Sequence, residues 1–216
     1  EGKLFGYFVD KETVSNWIID AEERFKLLSL KRDSISIELY ENGQKKQESN
    51  YKYDILHGKS TEWRSNGQIQ QEGNYKNGSK DGIWTQWYEN GQKKQESYYE
   101  SDILNGKSTY WHENGQIQQE GKYINGKQEY IWTEWSENGQ KKQEKNYKDG
   151  EQVSRTVYQY YDLDQKKTEV NFKDGELDGK STQWYKNGQI QQEGIHINGK
   201  QEGIWTEWSE NGQKKQ

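Results

Sequence analysis

The sequence predicts an all-β protein: an elongated, single-layer array of antiparallel β-hairpins. Three observations carry that prediction. One 24-residue unit recurs along most of the chain, each unit holds two glycine-bearing turns, and the aromatic residues fall at fixed places within the unit. Composition alone points elsewhere, since 28% hydrophobic and 31% charged residues with a mean hydropathy of −1.48 would suit a disordered chain. The 10 Trp and 16 Tyr, and the absence of Pro, argue against disorder. Few aliphatics and many periodic aromatics fit a thin sheet held by cross-strand aromatic contacts instead of a thick core.

Residues 1–26 do not share the repeat. Val14, Trp17, Ile18, Ala21, Phe25 and Leu28 recur at helical spacing, with Asp10 or Thr13 as a cap. The alternative is a hairpin pairing residues 4–9 with 14–19. Either would cover the first strand edge of an array spanning 27–216.

The repeat is marked by Asn-Gly-Gln, beginning at Asn42, Asn66, Asn90, Asn114, Asn138, Asn187 and Asn211. The long step after Asn138 hides a worn copy at Leu163-Asp164-Gln165, with one residue inserted near Glu151–Ser154, which makes eight units and about 16 strands. Asn-Gly between alternating residues predicts a type I′ hairpin turn. A second turn follows, read as a loop of about six residues such as Asn77–Gly82. At roughly 4.8 Å per strand the ribbon would be on the order of 75 Å long.

Units alternate between two types, giving a 48-residue super-repeat. One carries Lys-Ser-Thr before the turn and Ile-Gln-Gln after it; the other carries Ile-Trp-Thr and Lys-Lys-Gln. The bulky Trp of one type is expected over the small Ser of the next.

Two sets of residues are candidates for binding. The first is an aromatic row: Trp63, Trp87, Trp111, Trp135, Trp184 and Trp208 three residues before the Asn, with Tyr75, Tyr99, Tyr123 and Tyr147 nine after it. Its first role is structural, and partial exposure would add stacking platforms for a protein or a sugar. The second is a basic row: Lys45-Lys46, Lys93-Lys94, Lys141-Lys142 and Lys214-Lys215. Such lysines serve solubility, or offer sites to phosphate and carboxylate groups.

Little supports chemistry. With no Cys there is no disulfide or thiolate metal site. His57 sits in a turn slot, His112 in a variable surface slot shared with Arg64, Tyr88, Ser136 and Tyr185, and His196 replaces a repeated Tyr. Gly-Lys-Ser-Thr at Gly58, Gly106 and Gly179 lacks both the earlier Gly and the following helix of a phosphate loop. Glu72, Glu96, Glu120 and Glu144 read as a solvated strand face. No catalytic residue, metal or cofactor is expected, and a net charge of −5 gives no pull toward nucleic acid.

Tyr75–Gln92, together with its tandem copies over about residues 35–216, resembles the bacterial variant of the MORN repeat, found in proteins labelled YwqK-family antitoxins. The resemblance implies a hairpin array that acts as a protein–protein scaffold, antitoxin-like or exported to the cell envelope, without enzymatic activity. Glycan or cell-wall contact through the aromatics, and anionic-lipid contact through the lysines, are the alternatives. The C-terminal residues end just past a turn, so edge-to-edge self-association there is a further expectation.

Overall fold

In the computed structural model, residues 20–24, 33–162 and 165–215 are described. Residues 20–24 form one helical turn with an Arg24–Asp20 ion pair at 3.6 Å. The rest of the expected N-terminal cap, including Val14, Trp17, Ile18, Phe25 and Leu28, lies outside the described residues, as do Leu163 and Asp164 of the worn turn.

The remainder is one open antiparallel sheet of 16 strands. In chain order they are β1 (Asp33–Leu39), β2 (Lys45–Lys52), β3 (Ile55–Trp63), β4 (Ile69–Lys76), β5 (Ser79–Lys80), β6 (Gly82–Trp87), β7 (Lys93–Glu100) and β8 (Ile103–Trp111). The second half holds β9 (Ile117–Ile124), β10 (Lys127–Trp135), β11 (Lys141–Lys148), β12 (Glu151–Asp162), β13 (Gln165–Lys173), β14 (Glu176–Trp184), β15 (Ile190–Ile197) and β16 (Lys200–Glu207). Every strand pairs with its neighbours in sequence, and only the stub β5 lies off the path, paired with β4.

The two turns are the reverse of the expected types. At Asn42-Gly43 only the Gly is left-handed (φ 80°). Gly43 N–H donates to the Tyr40 carbonyl at 2.9 Å and the Asn42 side chain accepts from Gln44 N–H at 3.0 Å. That is a type I turn closed by a glycine bulge, and the register slips after it, where Glu38 faces Gln47 but Leu39 faces Lys45. The type I′ turns lie at the opposite rim. There Asn77 and Gly78 have φ of 53° and 89°, and Ser101 and Asp102 have 51° and 68°. What reads as a six-residue loop is thus a two-residue turn followed by a bulge inside the next strand, usually with a left-handed Gly such as Gly58, Gly82 or Gly106.

The worn copy shows how an odd residue is absorbed. Between the partners of Tyr147 and Lys145 the bulge holds two residues, Val153 and Ser154, where regular units hold three. The strand then gains two residues toward the turn: Thr156 faces Glu144 on one side, but Tyr158 faces Glu169 on the other. The insertion therefore falls toward the turn, and residues 151–154 lose one. An offset of two keeps every side chain on its own face, whereas an offset of one would invert them.

Each rim is stapled from repeat to repeat. Tyr40, Tyr88 and Tyr185 hydroxyls donate to the carbonyls of Trp63, Trp111 and Trp208 at 2.7–2.9 Å. Arg64 and His112 reach Trp87 and Trp135 in the same way. At Tyr40, Arg64, Tyr88, His112 and Tyr185 the slot that varies in sequence is therefore a contact with the next hairpin, not a free surface position. At the other rim Gly78, Gly126 and Gly199 N–H groups donate to Leu56, Leu104 and Leu177 at 2.8 Å. His57, expected in a turn slot, lies instead within β3, in the bulge just past the turn, where its Nδ1 accepts from Asn77 N–H at 3.4 Å.

Candidate interaction faces

Alternation along the strands gives the sheet two unlike faces. On one, small residues and tryptophans share a row: Ser49, Ser60, Gly73 and Trp84, then Ser97, Ser108, Gly121 and Trp132. Trp84 and Trp132 are 5% and 0% exposed, the only buried hydrophobic residues among those described. Each indole lies flat over a glycine. A Cβ on Gly73 would sit 2.3 Å from Trp84, one on Gly121 2.2 Å from Trp132, and one on Gly194 2.2 Å from Trp205. The expected seat on serine is thus corrected to glycine, because only a residue without Cβ leaves room. The indole N–H groups donate to the carbonyls of Asn74, Lys122 and Ile195 at 3.0–3.2 Å.

The tyrosines of the candidate aromatic row belong to this face. Tyr75 and Tyr123 meet Trp84 and Trp132 edge-on at 5.0 and 4.9 Å, and His196 meets Trp205 likewise at 4.8 Å. Tyr99 carries the Lys80 ammonium 5.4 Å from its ring, and Tyr147 faces Tyr130 across the strands. Burial, then the Glu62 charge, pushes the Tyr75 hydroxyl above its ordinary pKa; burial, then Tyr110, does the same to Tyr99. These tyrosines are structural, half-buried members of the thin core.

The opposite face carries an alternating row of glutamates and threonines. Glu48, Thr61, Glu72, Thr85, Glu96, Thr109, Glu120, Thr133 and Glu144 succeed one another across the strands. Each glutamate of the row, through Glu169 and Glu193, is paired with one lysine at 2.5–3.0 Å. The lysine comes from the Lys-Lys side (Lys45, Lys93, Lys141, Lys166) or the Lys-Ser-Thr side (Lys59, Lys107, Lys180), alternating from Glu48 to Glu144 and breaking the alternation at Glu169, in the worn copy. Glu144 is held below its ordinary pKa: burial pulls it up, and Lys141 and Tyr158 outweigh that pull. The carboxylates are therefore half-buried and neutralised, not freely solvated.

This pairing consumes the basic row. Lys45, Lys93 and Lys141 are committed to glutamates, and Lys45 and Lys93 also lie over Trp63 and Trp111 at 5.5 and 5.6 Å. The second lysines turn elsewhere: Lys46 to Glu38 at 3.3 Å, Lys94 over Tyr88 at 5.6 Å, Lys142 toward Glu134 and Lys215 to Glu207 at 3.5 Å. Lys214 forms a single bridge with Trp208. The eight lysines do not form one continuous cationic surface.

The six tryptophans before the Asn-Gly turns remain together, on the glutamate–threonine face. All are half-buried, and each faces an Ile or a Lys: Trp63 with Ile69, Trp87 with Lys93, Trp111 with Ile117, Trp135 with Lys141, Trp184 with Ile190. The single aromatic row read from sequence is thus two rows on opposite faces, with Trp84, Trp132 and the half-exposed Trp205 forming a third set seated over glycine. The indoles of the turn-side row recur every second strand, about 10 Å apart.

Chemical machinery is sparse. Among the described residues no group of His, Cys, Asp and Glu is placed to hold a metal. Ser181 and His196 hydrogen-bond at 2.9 Å, but both are buried and His196 occupies the structural tyrosine slot beside Trp205. The Gly-Lys-Ser-Thr segments run through strand, with Ser and Thr buried on opposite faces.

A family model for the MORN repeat variant matches residues 32–53, 56–77, 80–101, 104–125, 128–149, 177–198 and 201–216. These matches cover more than half of the chain, which belongs to this family of repeats, commonly engaged in protein or membrane interaction. The model passes over residues 150–176, the stretch where β12 slips by two. A comparison with curated proteins gave no match.

Proposed function

We propose that this chain is a non-enzymatic scaffold that binds another protein through its glutamate–threonine face. The observation behind this reading is the division of the aromatics. The indoles on the serine–tryptophan face are used up over glycine, while the turn-side tryptophans stay half-exposed beside Ile and Lys. Half-buried Trp with apolar neighbours and a rim of paired charges is the anatomy of a protein-binding surface. An antitoxin-like neutraliser or an exported interaction protein is the specific form implied by the family resemblance.

The lysine pairing weighs against anionic lipid, because the glutamates cancel the charge that would draw the face to a membrane. The test is capture from soluble and envelope extracts of the source cells by the native chain and by W87A/W135A, whose indoles lie on this face. A stoichiometric protein retained by the native chain and lost by the variant, with circular dichroism unchanged, is the expected result. Retention of phosphatidylglycerol vesicles or of insoluble cell-wall glycan in place of a protein would overturn the proposal.

A further inference from the structure

The row of residues next to the glutamate–threonine row contains one electrostatic conflict. Across most of the array the directly opposed pair in this row holds at most one charge: Ile35 with Asn50, Lys59 with Asn74, Ile83 with Tyr98, Ile131 with Asn146, Lys180 with Ile195. Between β8 and β9 it is Lys107 with Lys122. Like charges directly opposed on a sheet are destabilising. Lys107 is engaged with Glu120 at 3.0 Å. Lys122 faces Glu129 of β10, whose carboxylate accepts the Asp149 N–H at 2.6 Å, and its ammonium lies 5.8 Å from the Tyr130 ring.

The same pair lines a groove of about 720 Å³ that runs along β8. Ile83, Tyr98 and Ile124 wall the end beside the lysines, and Trp111 and Ile117 wall the other. The floor glutamates are already neutralised, Glu96 by Lys93 and Glu120 by Lys107. The groove is therefore apolar at both ends with one lysine, Lys122, that forms no ion pair with the groove's own glutamates, and the volume suits a short ligand segment. Local rules of sheet design are typically broken where a site needs the residue.

We infer that this groove binds an extended peptide segment of the protein partner. The segment carries an acidic residue beside a large apolar one, and a second large apolar residue about four positions away. The inference rests on the proposed protein-binding role. The acidic side chain accepts hydrogen bonds from Lys122 and Lys107, its apolar neighbour packs on Tyr98 and Ile83, and the far apolar side chain packs on Trp111 and Ile117. Lys107 and Trp111 are four residues apart on one strand, about 13 Å, which sets the peptide spacing.

The test titrates the full chain with acetyl-Leu-Ser-Thr-Ser-Glu-Phe-amide while following the Trp111 indole N–H and the Lys122 amide by NMR. Saturable shifts at both are expected, weakened about tenfold or more when the peptide's Glu is replaced by Gln, as for loss of a charge-assisted hydrogen bond. Lys122→Gln should weaken binding to the same degree without lowering the unfolding midpoint, and Lys59→Gln, in the corresponding row of another hairpin, should not. Absence of saturation, equal binding of the Gln peptide, or indifference to Lys122→Gln overturns the inference. Because Trp87 and Trp135 do not line this groove, capture of a protein that depends on them would leave the scaffold role intact even if the peptide fails.

Discussion

Replacing Gly121 with Ala adds one methyl group to a β-strand, a change that ordinarily stabilises by about 0.5–1 kcal/mol. Here the sign should reverse. The new Cβ would stand 2.2, 2.4 and 2.5 Å from the Cδ2, Cε2 and Cγ atoms of Trp132, more than 1 Å inside ordinary contact. Trp132 is 0% exposed, hydrogen-bonds to the Lys122 carbonyl at 3.2 Å and meets Tyr123 edge-on, so it has no lateral escape. Lifting the ring in place costs about 1–3 kcal/mol as overpacking, and expelling it approaches the ~3–5 kcal/mol of a Trp→Ala truncation. A loss of about 3 kcal/mol is expected. Gly188→Ala is the control: its φ is +84° and nothing lies within 4 Å, so only the left-handed cost of about 1–2 kcal/mol applies. Urea unfolding of both variants, and of Gly121→Ala in a Trp132→Ala background, completes a double-mutant cycle. Without the indole, Gly121→Ala should become mildly stabilising. If Gly121→Ala costs no more than Gly188→Ala, or the same amount in both backgrounds, the seating of indole on glycine is not what specifies this row.

Tyr130 holds the bulge position that glycines occupy in other units, with φ 60° and its side chain exposed, so Tyr130→Gly should raise stability by about 0.5–1 kcal/mol in urea unfolding. Glu134 is held below its ordinary pKa of 4.5: burial pulls it up, and hydrogen bonds from Lys145 and Gln143 outweigh that pull. A depressed carboxylate contributes stability above its unfolded value and loses it as pH falls through the folded one. The stability difference between the native chain and Glu134→Gln should therefore be full at pH 7, begin to shrink as pH falls past the ordinary carboxylate range, and be lost once pH is below the lowered folded-state value, in melting curves taken down through that range. Tyr88→Phe removes the donor to the Trp111 carbonyl and should cost about 0.5–1.5 kcal/mol, with faster amide exchange in the following hairpin.

The all-β class, the tandem hairpins and the strand count were legible because each rests on local chemistry. Gly at fixed intervals breaks any helix, and β-forming residues fill the gaps. The turn types were not legible, because Asn-Gly serves both rims. Whether Asn adopts positive φ depends on the flanking register: Asn77 does, and Asn42 is absent from the left-handed residues. The worn copy was visible as an extra residue, but its placement was not, since the face parity that forces a two-residue offset is a property of the whole sheet.

The sequence by itself determined the repeat, its alternation and the absence of thiol chemistry, since these follow from residue identity and spacing along one chain. Tertiary structure decided which aromatics share a face. Trp84 and Trp87 are three residues apart, yet one is sealed over Gly73 and the other is half-exposed on the opposite side. It also decided that each row glutamate takes one lysine, some from their own strand and some from the strand beside them. Both outcomes depend on face parity set by the bulges: they bring Gly73 under Trp84 11 residues on and Lys59 to Glu72 13 residues on, and they put Lys45 and Glu48, three apart, on one face, none of which a linear reading resolves.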